Sequence, residues 1–140
     1  MTRRNKPGGP NRWATADQGF VGTSPARVFE VLAEPAGYPR WWPGARERPP
    51  GRLLLPGFGV VAVEATGVRP GVGLYVRLEG RGFRGHLEWF LEPYKEGTVV
   101  NAIVNVESAR RWRDRRILAV RAGLRLAMVA LRERHAVRPR

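Results

Sequence analysis

The sequence predicts an α+β domain: a run of antiparallel strands closed by one long C-terminal helix. Three observations predict it. From residue 45 onward, glycine and proline punctuate the chain at 49–51, 56–57, 67–73, 80–85 and 93–97, and the segments between them alternate apolar and polar residues. From 108 to 135 there is no proline, and the only glycine is Gly123. The length, 140 residues, suits a single domain large enough to bury a core.

Taken in order, residues 1–11 read as a disordered basic tail, rich in Pro, Gly and Arg, ahead of a domain over 12–138. Arg3-Arg4 is followed by no apolar run, so a secretory signal is not expected there. Residues 12–21 form a first strand. Ser24 can accept from exposed helical N–H groups, and Pro25 suits a first helical position, where its missing donor costs little. Val28, Phe29, Val31 and Leu32 give this short helix an apolar face, and Pro35 and Gly37 interrupt it. A second helical turn over 38–42 ends at Pro43-Gly44.

The clearest strands are 60–66, 74–80, 85–92 and 98–106. Short turns between them require antiparallel neighbours. Alternation gathers Val61, Val63, Leu74, Val76, Leu78, Leu87, Trp89, Leu91, Val100, Ala102 and Val104 on one face. Tyr75, Arg77 and Asn101 fall on the other, although a one-residue slip would exchange the faces. The last element is a helix of about 27 residues, roughly 40 Å long, with Trp112, Val120, Leu124, Ala127, Met128 and Leu131 at helical spacing.

Composition narrows the function classes. Without cysteine there is no disulfide, no thiolate metal site and no cysteine nucleophile, and a cytoplasmic location is the natural expectation. The most apolar stretch, 117–131, carries Arg121 and Arg125 and is short for a bilayer span. Lys plus Arg number 25 against 12 acids, a formal charge of +13, with Lys6 and Lys95 the only lysines. Such a charge fits an anionic partner or a generally solvated arginine-rich surface. Its sharpest concentration is Arg110-Arg111-Trp112-Arg113-Asp114-Arg115-Arg116, where an arginine stacked on Trp112 is the simplest reading.

Two local patterns carry a family resemblance. Thr23-Ser24-Pro25-Ala26-Arg27-Val28-Phe29-Glu30-Val31-Leu32 runs on to Tyr38-Pro39-Arg40-Trp41-Trp42-Pro43-Gly44, like a "YPxWxP" turn. Trp89-Phe90-Leu91-Glu92-Pro93, followed by Gly97-Thr98-Val99-Val100, is like a "WxLEPxxxGTxV" hairpin. In this order, ahead of a long helix, they resemble the START-like (SRPBCC) superfamily, in its polyketide cyclase/dehydrase and lipid-transport branch. The resemblance covers residues 12–135. It implies a helix-grip fold, with a curved antiparallel sheet of about seven strands wrapped around the C-terminal helix. It also implies a cavity between them for an apolar molecule.

That cavity would be lined by Phe29, Trp42, Val63, Val76, Leu78, Leu87, Trp89, Leu91, Val100, Val104, Val120, Leu124 and Met128, unless the same residues simply fill a solid core. Trp89 can stack on a planar ligand. Of the adjacent Trp41 and Trp42, one is expected to point inward and the other to sit at the mouth. Catalytic residues are not apparent. There is no Gly-x-Ser-x-Gly elbow, His86 and His135 lie far apart, and no ligand spacing for a metal appears. No cofactor is implied.

The leading expectation is binding, or carriage, of an apolar small molecule such as a lipid or polyketide. The alternatives are a metal-free cyclase- or dehydratase-type enzyme, needing inward polar groups, and arginine-mediated binding to nucleic acid or an anionic membrane. Oligomeric state is open at this level.

Overall fold

The computed structural model describes residues 11–136. The predicted tail therefore lies outside the described residues except for Asn11, which opens the first strand. Seven strands form one antiparallel sheet: β1 (Asn11–Val21), β2 (Arg46–Arg48), β3 (Arg52–Leu55), β4 (Gly59–Arg69), β5 (Gly73–Gly80), β6 (Phe83–Tyr94) and β7 (Gly97–Ser108). Their spatial order is β1-β7-β6-β5-β4-β3-β2. The N-terminal strand thus pairs with the last one, Asn11 opposite Ser108 and Val21 opposite Thr98. Helices α1 (Pro25–Leu32) and α2 (Asp114–Arg134) and a 3-10 helix (Pro35–Arg40) complete the fold. The sheet curls around α2, the START-like helix-grip architecture.

The alternation predicted for the strands is the one observed. Val76, Leu87, Trp89, Val100, Ala102 and Val104 have no exposed surface, and Leu74, Leu78 and Leu91 are buried beside them. Val63 is half-buried and packs against this core. Tyr75, Arg77 and Asn101 are on the outer face: Arg77 pairs with Glu64, and Asn101 bonds Gln18, Glu92 and the Phe90 carbonyl. His86 is on that face too, edge-on to Tyr75 with ring centroids 5.4 Å apart.

α1 begins as expected. The Ser24 hydroxyl accepts from Arg27 N–H at 3.4 Å, with Pro25 in the first turn. Pro35, however, opens the 3-10 helix rather than ending a helical region, so this turn spans 35–40 and not 38–42. Proline is pre-shaped for a first helical position, and that preference wins here.

The long helix is shorter than predicted, at 21 residues. Its expected first turn belongs to other structure. Ser108 completes β7, where its hydroxyl donates to the Arg110 carbonyl at 2.6 Å. Trp112 is off the helix. Its ring lies 4.9 Å from Phe83, 5.3 Å from Trp13 and 6.1 Å from Phe58. Burying this indole in a four-ring cluster outweighs one more helical turn. Arg113 is then the N-cap, in extended backbone.

α2 is gripped from both sides. Against β1, Arg121 donates to Thr15 Oγ1 at 3.1 Å, and Arg125 pairs with Asp17 and donates to the Gln18 carbonyl at 2.8 Å. Against the β3–β4 turn, Arg116 donates to the carbonyls of Gly57 and Phe58 at 2.9 and 2.8 Å while its guanidinium lies 3.5 Å above the Trp112 ring. The stacked arginine read from the sequence is thus Arg116.

At the far end of α2, His135 is half-buried and its Nε2 has no partner among the described residues. Burial, reinforced by Arg134 and Arg27, holds its pKa below the ordinary value. The unfolded chain therefore takes up this proton first, at a pH near 6.5. Folding stability should fall as pH drops through that value. Urea midpoints measured from pH 7.5 to 5 should show the decline, and His135→Asn should flatten it; an unchanged slope in the variant would assign the decline to another group.

Candidate functional site

The interior between sheet and α2 is built around four aromatic rings. Tyr38 comes from the 3-10 helix, Trp41 and Trp42 from the residues just after it, and Trp89 from the middle of β6. The three ring centroids nearest Trp89 are Trp42, Trp41 and Tyr38 at 6.2, 6.4 and 6.5 Å. Trp41 and Trp42 stack on each other at 5.8 Å with 26° between planes. Both are therefore inside, Trp42 1 % and Trp41 9 % exposed, contrary to the expectation that they diverge. Trp41, at the helix C-cap, has φ −135° and ψ −25°, outside helical geometry, which lets consecutive rings lie side by side.

Polar atoms inside this nest form a short chain. Trp89 Nε1 donates to the Tyr38 hydroxyl at 3.0 Å, and that hydroxyl donates to the Leu32 carbonyl at 2.7 Å. Trp42 Nε1 donates to the Gly123 carbonyl of α2 at 3.1 Å, tying the nest to the helix. Burial pushes the Tyr38 phenol well above its ordinary range, opposed only by the Trp89 hydrogen bond. It is a neutral hydroxyl rather than a proton-transfer group at neutral pH. Trp41 Nε1 is different: it is buried and, among the described residues, has no hydrogen-bond partner.

Of the residues predicted to line a cavity, Trp42, Val76, Leu78, Leu87, Trp89, Leu91, Val100, Val104, Val120, Leu124 and Met128 all lie in one buried cluster. Phe29 and Val63 are half-buried against it. Here they pack on one another and on the aromatic rings. Tyr38 was not among the residues expected at the site, and Trp41 was expected only as one of a pair divided between interior and mouth; the "YPxW" pattern was the signal available. Open concavities of about 600 and 800 Å³ lie on the outer sheet face, around Gly85 and Asn101 respectively. The first is rimmed by Arg12, Arg77 and Arg84, and there Arg84 and Arg12 hold the Glu107 carboxyl below its usual range.

Solved structures share this architecture at low sequence identity. A START superfamily protein from Mycobacterium smegmatis is 15 % identical, with TM-score 0.66 over 87 % of this chain and 96 % of that one. BexL, a di-domain ARO/CYC protein from the BE-7585A biosynthetic pathway, is 13 % identical, with TM-score 0.64 over 91 % of this chain and 51 % of BexL. DynU16, from the dynemicin biosynthetic locus, is 17 % identical, with TM-score 0.62 over 86 % of this chain and 46 % of that one. The chain thus has the START-like fold, the class that the sequence pattern resembled. No family model and no curated protein sequence matches it. Among the described residues, no helix is long and apolar enough to cross a membrane.

Proposed function

We propose that the protein binds, and carries within the cytoplasm, an apolar small molecule of lipid or polyketide type that enters the aromatic nest between the sheet and α2. One observation carries this reading: Trp41 Nε1 is a buried donor without a partner among the described residues, at the edge of a nest whose other donors are paired. Such an orphan costs about 1–3 kcal/mol, which a ligand carbonyl or hydroxyl would recover. Trp41 is also the most exposed ring of the four, so it is the one that can turn aside to admit a guest. The apolar surroundings then supply shape and the indole supplies one polar anchor, the usual division of labour in small-molecule sites.

Binding without chemistry is the simpler form of this reading. Tyr75, Arg77 and Asn101, the donors a cyclase would use, face outward, and the Tyr38 hydroxyl is committed to Leu32 and Trp89.

Tryptophan fluorescence and native mass spectrometry with a fatty acid and an anthraquinone test the proposal. Both probes should bind. Trp41→Phe, which keeps a ring and removes the donor, should weaken the anthraquinone about tenfold, in line with one lost hydrogen bond. Absence of binding by either probe to the unaltered protein would overturn the reading.

A further inference from the structure

The outward face of α2 sets exposed leucines beside arginines. Leu118 and Leu126 are 58 % and 51 % exposed, and Ala122 falls between them at helical spacing. Val129 continues the same stripe, half-buried, one turn further on. Arg121, Arg125 and Arg132 run along one edge of the stripe. At its N-terminal end a concavity of about 910 Å³ is walled by Arg81, Arg110, Arg111, Arg113, Arg115 and Arg116, with no acidic residue in the wall. Arg116 is spent on the Gly57 and Phe58 carbonyls, and Arg125 on Asp17. Among the described residues, Arg81, Arg110, Arg111, Arg113, Arg115 and Arg132 form no ion pair.

We propose that this face of α2, with the arginine segment leading into it, docks the protein on an anionic lipid surface. Two features must be explained together. Unpaired arginines alone would suit any polyanion, nucleic acid included. Phosphate contacts would nevertheless leave Leu118 and Leu126 in water. A bilayer surface satisfies both at once, because headgroup phosphates meet the guanidinium groups while the leucines reach the acyl boundary a few ångströms below. α2 needs no unfolding to do this, since its opposite face, through Val120, Leu124, Ala127 and Leu131, stays in the core. The dock is independent of whether the aromatic nest holds a ligand.

Co-sedimentation of the full chain with vesicles tests this. The protein should pellet with phosphatidylglycerol–phosphatidylcholine vesicles at low salt and stay in solution with pure phosphatidylcholine. A triple variant, Arg110→Gln with Arg111→Gln and Arg113→Gln, should weaken binding by about fivefold per arginine. A double variant, Leu118→Ser with Leu126→Ser, should weaken it at least about tenfold. All five side chains are exposed, so melting temperatures should stay close to that of the unaltered protein. Equal binding to neutral and anionic vesicles, or to neither, would overturn the proposal. So would unchanged vesicle binding by the leucine variant. Tighter binding to a DNA or RNA duplex than to vesicles, insensitive to the leucine change, would replace it with a nucleic-acid partner.

Discussion

A Trp89→Ala variant should lose about 3–5 kcal/mol of folding stability, the range for truncating a fully buried tryptophan. Trp89 is completely buried and touches three other rings of the nest. Truncation removes their common contact and strips the Tyr38 hydroxyl of its donor. A loss of this size is a fifth or more of the stability of an ordinary domain, about 5–15 kcal/mol. Urea denaturation should show a lower midpoint with an unchanged slope. The void left behind would be apolar and the size of an indole, so added indole should raise the midpoint again. A loss under about 1 kcal/mol, with no response to indole, would mean the remaining rings collapse into the gap, and that the nest is softer than its geometry indicates.

A second large effect is expected at the β3–β4 turn. A Cβ added at Gly57 would stand 2.5 Å from the Val120 backbone nitrogen and 2.6 Å from its Cγ2, and the glycine has φ +80°. Gly59 provides the control, with φ +81° and nothing within 4 Å of its Cβ position. Gly59→Ala should therefore cost only the left-handed backbone penalty, about 1–2 kcal/mol. Gly57→Ala carries that penalty and must also push α2 off the turn, adding about 1–3 kcal/mol of overpacking. The displacement would also stretch the Arg116 bonds to the Gly57 and Phe58 carbonyls. Equal losses for the two variants would show that the turn, not α2, gives way.

The sheet was legible because a strand with one wet face writes its orientation into every second residue. Leu74-Tyr75-Val76-Arg77-Leu78 shows it, and the buried and exposed positions follow that order. α1 was legible because Ser24-Pro25 combines a cap with a fixed backbone angle. The beginning of α2 was not. Ala109 to Arg113 are compatible with helix by propensity, and only the meeting of Trp112 with Trp13, Phe58 and Phe83 decides otherwise. These partners lie far off in sequence, so no local periodicity contains them. The same holds for the site. Apolar identity marked Trp89 and its neighbours as interior, but the stacking of Trp41 on Trp42 depends on one non-helical backbone angle pair that residue type does not encode. Which donor would be left single is a property of the assembled rings.

The pairing of β1 with β7 has a consequence for how the chain is made. Asn11 meets Ser108 and Val21 meets Thr98, so among the described residues the first strand finds its only sheet neighbour near the end of the domain. At ribosomal speeds of about 5–20 residues per second, β1 waits about 5–20 s for that neighbour to be synthesised. Throughout that interval its edge can be captured by other strands. Closure of the sheet is then a late, long-range step, and α2, which leans on β1 through Thr15 and Asp17, cannot be locked before it. Nascent chains halted before residue 97 should accordingly be held by chaperones, and those released after α2 should fold unaided.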